Sequence, residues 1–357
     1  MKTSIPIVGI GARTPLGLQA APSAAAVRAG VTTALGEHPF MVDSVGDMMP
    51  AALDQELDPR LVGPKRLLVL AETALREACA PLGTARATCP PLFTFLGLPE
   101  IRPGFTPQDA ETIKAGVAKL EKLPAKISSA NVLTNGHAAG LSALAAAAAL
   151  MQQGGSEACL VGGVDSYFHP DTMEWLDANR QLANTVSRSG FIPGEGAGFC
   201  LLMSEPTRSR LGLPSLGRLR AVALGKETKL IKTKDMCLGE GLTATVKEAV
   251  GGLRLPEERI NDIWCDINGE RYRNEEWGFV CLRSSQYFDD PTAYHSPAEC
   301  WGDVGAASGP LFAMLACESM ARGYAPGSRI MLWASSEKGQ RSAAVIESSS
   351  LGPKGVG

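Results

Sequence analysis

The stretch from Ala125 to Val164 constrains this chain more than any other. Ala125–Ser128 reads as a short strand, and Asn135-Gly136 is a turn signal. His137–Gln153 is dominated by alanine and predicts a helix that Gly154-Gly155 ends. Ala158–Val164 is then a continuous apolar run, as expected of a parallel strand covered on both faces. Strand, sharp turn, helix and strand make a βαβ unit, so the chain is of the α/β class.

The rest of the chain keeps the same rhythm. Ile5–Ile10 predicts a buried strand rather than a signal peptide, because the apolar run is short and soon meets Arg13. Lys65–Cys79 carries apolar residues at helical spacing, and Pro91–Leu98 predicts a second buried strand. The region from Gly30 to Arg60 is irregular and predicts loops. Further on, Leu242–Val250 predicts a helix, Ile263–Ile267 a strand, and Pro310–Arg322 a helix with proline in its first turn. Ile330–Ala334 and Ala343–Ile346 predict a hairpin. Similar element order in both parts suggests an internal duplication. The Pro, Ser, Arg and Gly cluster at Glu205–Pro214 places the boundary between halves 1–208 and 209–357.

Composition excludes several function classes. The net charge is −3 and the basic residues are scattered, so no nucleic-acid surface is expected. The longest apolar stretch, Leu141–Met151, is too short to span a bilayer. Nine cysteines occur without a C-x-x-C pair or Cys/His clustering, so neither a metal nor another cofactor is expected. Cys159, Cys200, Cys265 and Cys317 sit inside apolar runs and read as reduced core residues, which points to the cytosol. The Gly-rich block Gly190–Gly198 lacks the Lys-Ser/Thr ending of a phosphate cradle.

Five segments, in order, resemble the β-ketoacyl synthases. Val8-Gly9-Ile10-Gly11 through Gly17 is similar to the family's opening strand and turn. Gly136–Gly140 is similar to the start of the helix behind its nucleophile, and Leu160–Ser166 to the central strand that follows. Ser189–Gly198 resembles the D-G-F-x-x-G-E-G-A-G block, and Gly302–Gly309 the G-H-x-x-A-A-x-G block. The resemblance implies a thiolase-like five-layered αβαβα fold of two duplicated halves, and a homodimer. It also implies an acylated cysteine at a helix N-terminus, where the dipole and backbone N–H groups favour negative charge, and two assisting histidines.

The catalytic positions depart from that pattern. Matching Gly136–Gly140 to the family's helix start puts Val132 at the nucleophile, and valine has no lone pair. Matching Asp266–Gly269 to E-A-H-G puts Asn268 at the first histidine, where an amide cannot titrate near neutrality. Matching Gly302 puts Asp303 at the second, where an ionised carboxylate only accepts. Ala298 falls at a lysine of the family, and the glycine-rich loop near its end becomes Glu337–Arg341 with only Gly339 left.

Replacement chemistry has few candidates. Thr134 and His137 form the fallback nucleophile and base, against the plainer reading of Thr134 as a backbone-bonded helix starter. Cys300 and His295 read as a buried thiol and a solvated loop histidine, and Glu195 as a tie between loops. The expectation is therefore a ketosynthase-like protein without the Cys-His-His triad, acting by binding as a scaffold or adaptor. Its partners would be an acyl carrier protein, an active ketosynthase or type VI secretion components, the last by resemblance to thiolase-like accessory proteins of that system. The alternative is a divergent acyltransferase acting on acyl-CoA or acyl-carrier-protein thioesters.

Overall fold

The computed structural model describes residues 4–184, 187, 189–230, 233 and 235–349. Met1, Lys2 and the Gly/Pro-containing end after residue 349 lie outside the described residues. In chain order the first elements are β1 (Ile5–Arg13), α1 (Ala20–Arg28), β2 (Leu35–Val42), β3 (Met48–Ala52), α2 (Gly63–Cys79), β4 (Leu92–Gly97) and α3 (Pro107–Ala118). There follow β5 (Ile127–Leu133), α4 (Ala139–Gln152), β6 (Ala158–Ser166), α5 (Pro170–Ala178), β7 (Glu195–Met203) and α6 (Glu205–Leu211). The remainder is β8 (Gly217–Lys226), α7 (Glu240–Val250), β9 (Asp262–Cys265), α8 (Arg271–Ser284), α9 (Ala298–Trp301), α10 (Ser308–Ala321), β10 (Arg329–Ser335) and β11 (Gln340–Glu347).

Nine strands form one mixed sheet in the order β5-β4-β6-β7-β1-β8-β11-β10-β9. The pairing repeats about the β1–β8 seam. β4 and β6 run parallel, as do β9 and β10, while β6–β7 and β10–β11 are antiparallel. β1–β7 and β8–β11 are antiparallel too. β5 extends the first block, whereas beside β9 the described residues form isolated bridges, Trp264 to His295 and, just before it, Ile260 to Phe288. The seam itself is short, pairing Ile5–Ile7 with Gly217–Leu219.

Helices α4 and α10 touch strands on both sides of that seam and so form a middle layer. Their approach is close: a Cβ on Gly140 would sit 2.2 Å from Pro310 Cδ, so no larger side chain fits there. α2 covers β1 and β7 from outside, and α7 covers β8 and β11. Helix, sheet, helix, sheet, helix is the layering that the resemblance implied.

Most of the expected elements are present, with shifts that matter. Gly30–Arg60 is not all loop: it holds the β2–β3 hairpin, in which β2 is largely exposed and so lacks a clean apolar alternation, while β3 is mostly buried. β5 is longer than expected and runs on to Leu133 rather than ending at Ser128. β7, read as part of a glycine-rich block, is buried along its whole length.

Candidate functional site

Four segments meet beyond the C-terminal ends of the parallel strands, where open α/β sheets place their sites. They are the turn after β5, the loop after β9, the loop before α10 and the loop after β10. β5 gives way at Gly136, with φ +64°, to a short 3-10 turn, Gly136–Ala138, which feeds α4.

His137 in that turn is buried and places its Nε2 2.8 Å from both carboxylate oxygens of Asp303. Asp303 Oδ1 also accepts from the Gly305 N–H at 2.7 Å and from the Tyr167 hydroxyl at 3.4 Å. Its Oδ2 accepts from the Asn268 amide. Gly302 positions the carboxylate. Its φ is +73°, and a Cβ there would press on Ala52 Cβ and Ile192 O, each at 2.9 Å. The next residue is then pinned in a bridge to Pro193.

Arg273 closes the cluster from α8. Its guanidinium donates to Asp266 Oδ2 at 2.5 Å, to Ser335 O at 2.6 Å and to Glu270 Oε2 at 3.2 Å. Its Nη2 lies 3.2 Å from His137 Nε2. Asp303, when ionised, only accepts, so Nε2 must carry the ring's proton, and the Arg273 approach is donor against donor. Burial opposes charge on His137, but the Asp303 carboxylate outweighs it and raises the imidazole above its usual value. Burial likewise opposes charge on Asp303, and the His137 and Arg273 cations overcome it, holding the carboxyl below its usual range. This is an imidazole held by a carboxylate, and among the described residues no nucleophile is bonded to it. The helix-start N–H that would serve a thiolate or oxyanion is spent: Ala138 N–H donates to Ser336 Oγ at 2.8 Å.

The structure therefore brings Asn268, Asp303 and His137 together and leaves Val132 elsewhere. Val132 lies on β5 opposite Leu96 and packs against the outer apolar cluster around α2. This corrects its assignment to the elbow: β5 continues to Leu133, and the chain turns only at Gly136, so His137 occupies the elbow. Thr134 makes no hydrogen bond with His137, so the fallback pair is not assembled. Arg273, Ser336 and Tyr167 were not expected. Nothing in their spacing marks them, because each reaches the cluster from a separate element. Glu195 does tie segments together, accepting from Arg66, the Asp54 N–H and the Ser166 hydroxyl. His295 is half-exposed, stacks on Trp264 and pairs with Asp262, away from the cluster.

A cavity of about 380 Å³ opens above His137, walled by Tyr167, Leu176 and Phe191, with Arg102 and Lys338 beside it. No cysteine lines it. Burial pushes all nine thiols up: Cys79 and Cys200 to about 12, Cys159 and Cys237 to about 11. Cys89, Cys265, Cys281, Cys300 and Cys317 shift the same way.

Residues 129–207, from β5 through α6, match the family model of the β-ketoacyl synthase N-terminal domain. Over that segment the chain is similar to the β-ketoacyl synthases. Solved ketosynthase structures superpose along nearly its whole length. One is AntDE:AntF, a type II polyketide acyl-carrier protein in complex with its ketosynthase bound to the hexaketide. It shares 16% identity over 98% of this chain and 100% of that one, with a TM-score of 0.79. The ishigamide ketosynthase/chain length factor shares 15% identity over 98% and 100% of the two chains, at 0.80. The ketosynthase from module 6 of the bacillaene synthase of Bacillus subtilis 168 shares 15% identity, covering 98% of this chain and 72% of that one, at 0.75. These likenesses establish the thiolase-like ketosynthase fold. No curated protein matches the chain significantly in sequence. Among the described residues of this ketosynthase-like chain, no helix is long and apolar enough to cross a membrane.

Proposed function

We propose that this ketosynthase-like protein acts by binding and does not condense acyl units through a thiol. One observation carries the reading: an imidazole, His137, stands at the helix start, locked to Asp303, and no cysteine lines the cavity above it. Only a thiolate attacks a thioester efficiently. Asp303 then serves as the partner of His137, and Asn268 as a donor to Asp303, instead of proton donors to a substrate. The likeness to a ketosynthase/chain length factor supports a role beside an active condensing enzyme. Co-purification with a cysteine-bearing ketosynthase or an acyl carrier protein is expected, and recovery with secretion spike components instead would favour the adaptor role. Incubation with acetyl-, malonyl- and octanoyl-CoA should leave the intact mass unchanged. An acyl adduct that disappears on a single Cys→Ser substitution would sink the binding reading.

A second reading rests on the cavity above His137. An imidazole oriented by a carboxylate is the base of many acyl transfers. A non-covalent acyltransferase would turn over acyl thioesters and lose that activity in His137→Ala and Asp303→Ala. The raised imidazole weakens this reading, since a protonated ring is no base.

Self-association belongs to the same proposal. β5 ends the nine-stranded sheet, and β4 is its only partner among the described residues. A seven-residue edge offers a row of unpaired backbone groups to a second copy. Light scattering should give twice the monomer mass, falling to the monomer when lysines replace Ala130 and Val132. A wild type that is monomeric at micromolar concentration would refute the pairing.

A further inference from the structure

The imidazole of His137 spends only one of its two nitrogens. Its polar contacts all run through Nε2, to both oxygens of Asp303 and beside Arg273 Nη2. Nothing among the described residues bonds Nδ1, yet Nδ1 does not belong to the buried polar atoms without a partner, so it keeps access to solvent. His137 is 8% exposed, and the open space it lines is the cavity of about 380 Å³. Nδ1 is therefore the atom through which the ring meets a ligand. Nε2 carries one proton toward Asp303, and that carboxylate favours the charged ring. A charged imidazole bears its second proton on Nδ1, which makes that atom a donor.

The charges around the cavity are paired with one another. Arg102 donates to Asp165 Oδ1 at 2.6 Å, and the Lys338 ammonium stands 3.6 Å from Glu100. Glu337 accepts from the Gln181 amide. Glu100 lies close to the elbow, where a Cβ on Gly136 would come within 2.9 Å of its Cγ. An acid entering the cavity would bring a further negative charge beside Glu100, Glu337 and Asp165, and an amine would meet the charged ring. Either would give up its hydration without an unpaired counter-charge among these groups. The remaining wall is apolar and largely aromatic: the Tyr167 and Phe191 ring centroids lie 5.4 Å apart, with Trp175 and Leu176 alongside. Such a wall suits the face or edge of another aromatic ring.

We propose that the cavity binds a neutral aromatic carbonyl compound, its ring against Phe191 and its carbonyl oxygen accepting from His137 Nδ1. The inference rests on the preceding reading of this site as a binding pocket, and it adds the ligand class. Titration calorimetry on the full chain tests the class, with 4-phenylbutan-2-one against 3-phenylpropanoate and 3-phenylpropan-1-amine. The ketone should bind at least roughly tenfold tighter than either charged analogue, because each charged group would lose hydration in a site whose charges are already paired.

Replacing His137 would also unpair Asp303, so the hydrogen bond is read without touching that residue. The chain has four histidines, and with their ring nitrogens isotope-labelled, His38→Gln, His169→Gln and His295→Gln assign the His137 Nδ1 signal by elimination. Saturating ketone should shift that signal in wild type. The isostere 2-methyl-4-phenylbut-1-ene, with methylene in place of the oxygen, should move it far less. Ile101→Trp, at the half-exposed rim, should narrow the mouth and weaken ketone binding by roughly tenfold. Equal binding of the ketone and a charged analogue would overturn the proposal. So would an unmoved His137 signal, an equal shift with the alkene, or unchanged affinity in Ile101→Trp. An acyl adduct on a cysteine would overturn only the preceding reading, leaving the ligand class to be decided by these measurements.

Discussion

Replacing Asp303 by alanine should cost about 3–5 kcal/mol of unfolding free energy near pH 6, the range for breaking a buried ion pair. The carboxylate is almost fully buried and takes protons from His137, Asn268, Gly305 and Tyr167. Arg273 keeps Asp266 and Glu270, so the loss falls mainly on His137, which is left buried beside a guanidinium without its counter-charge. Asp303→Asn keeps an acceptor without the charge and should lose less. The sign of the pH dependence follows from the two shifts. His137 is raised, so its contribution is complete below the unfolded imidazole value of about 6.5 and fades as pH rises through the folded one. Asp303 is lowered, so its contribution is present above the unfolded value of about 3.9 and fades as pH falls through the folded one. The gap between wild type and Asp303→Ala in urea unfolding should therefore be widest between those limits and shrink toward alkaline pH. A gap below about 1 kcal/mol near pH 6, where a buried pair predicts several, would mean that the pair is not a stabilising unit.

Arg66→Met should be as damaging, again by about 3–5 kcal/mol. Arg66 donates to Glu195 from Nε and Nη2, each at 2.6 Å, and both side chains are almost wholly buried. Without the cation, Glu195 keeps only the Asp54 N–H and the Ser166 hydroxyl, two neutral donors for one buried charge. Its cost should fall when the charge is removed as well, so Arg66→Met/Glu195→Gln should be more stable than Arg66→Met alone. Additive losses in the double variant would show that packing, including the Arg66 contact with the Phe168 ring, dominates over charge. The effect reaches the cavity, because Glu195 opens β7 while Ser166 ends β6 beside Asp165 and Tyr167. Thermal unfolding of the same variants reads the loss of stability.

Much of the fold was legible in the chain. The apolar run Ala158–Val164 and the alanine-rich helix before it lie where their composition places them, in β6 and α4. Buried apolar runs need both faces covered, and that requirement is local enough to read. The β2–β3 hairpin was missed because β2 mostly faces solvent, where no periodicity is enforced, and β3 is too short to show one. Asn268 and Asp303 were found by motif position, and the folded chain places them in hydrogen-bond contact. Val132 was misplaced because strand ends are weakly encoded: Ser129, Ala130 and Asn131 carry no stop signal, and their pairing with β4 carries the strand onward.

The sequence by itself determined the layered α/β architecture and the absence of a titrating histidine at positions 268 and 303. Both follow from residue type and local pattern. Only the tertiary structure decided that His137 turns inward onto Asp303, that Arg273 and Ser336 close around it, and that Arg102 pairs with Asp165 beside the cavity. Those contacts join residues more than 60 positions apart, and their energies depend on burial and on shared partners, which no local pattern carries.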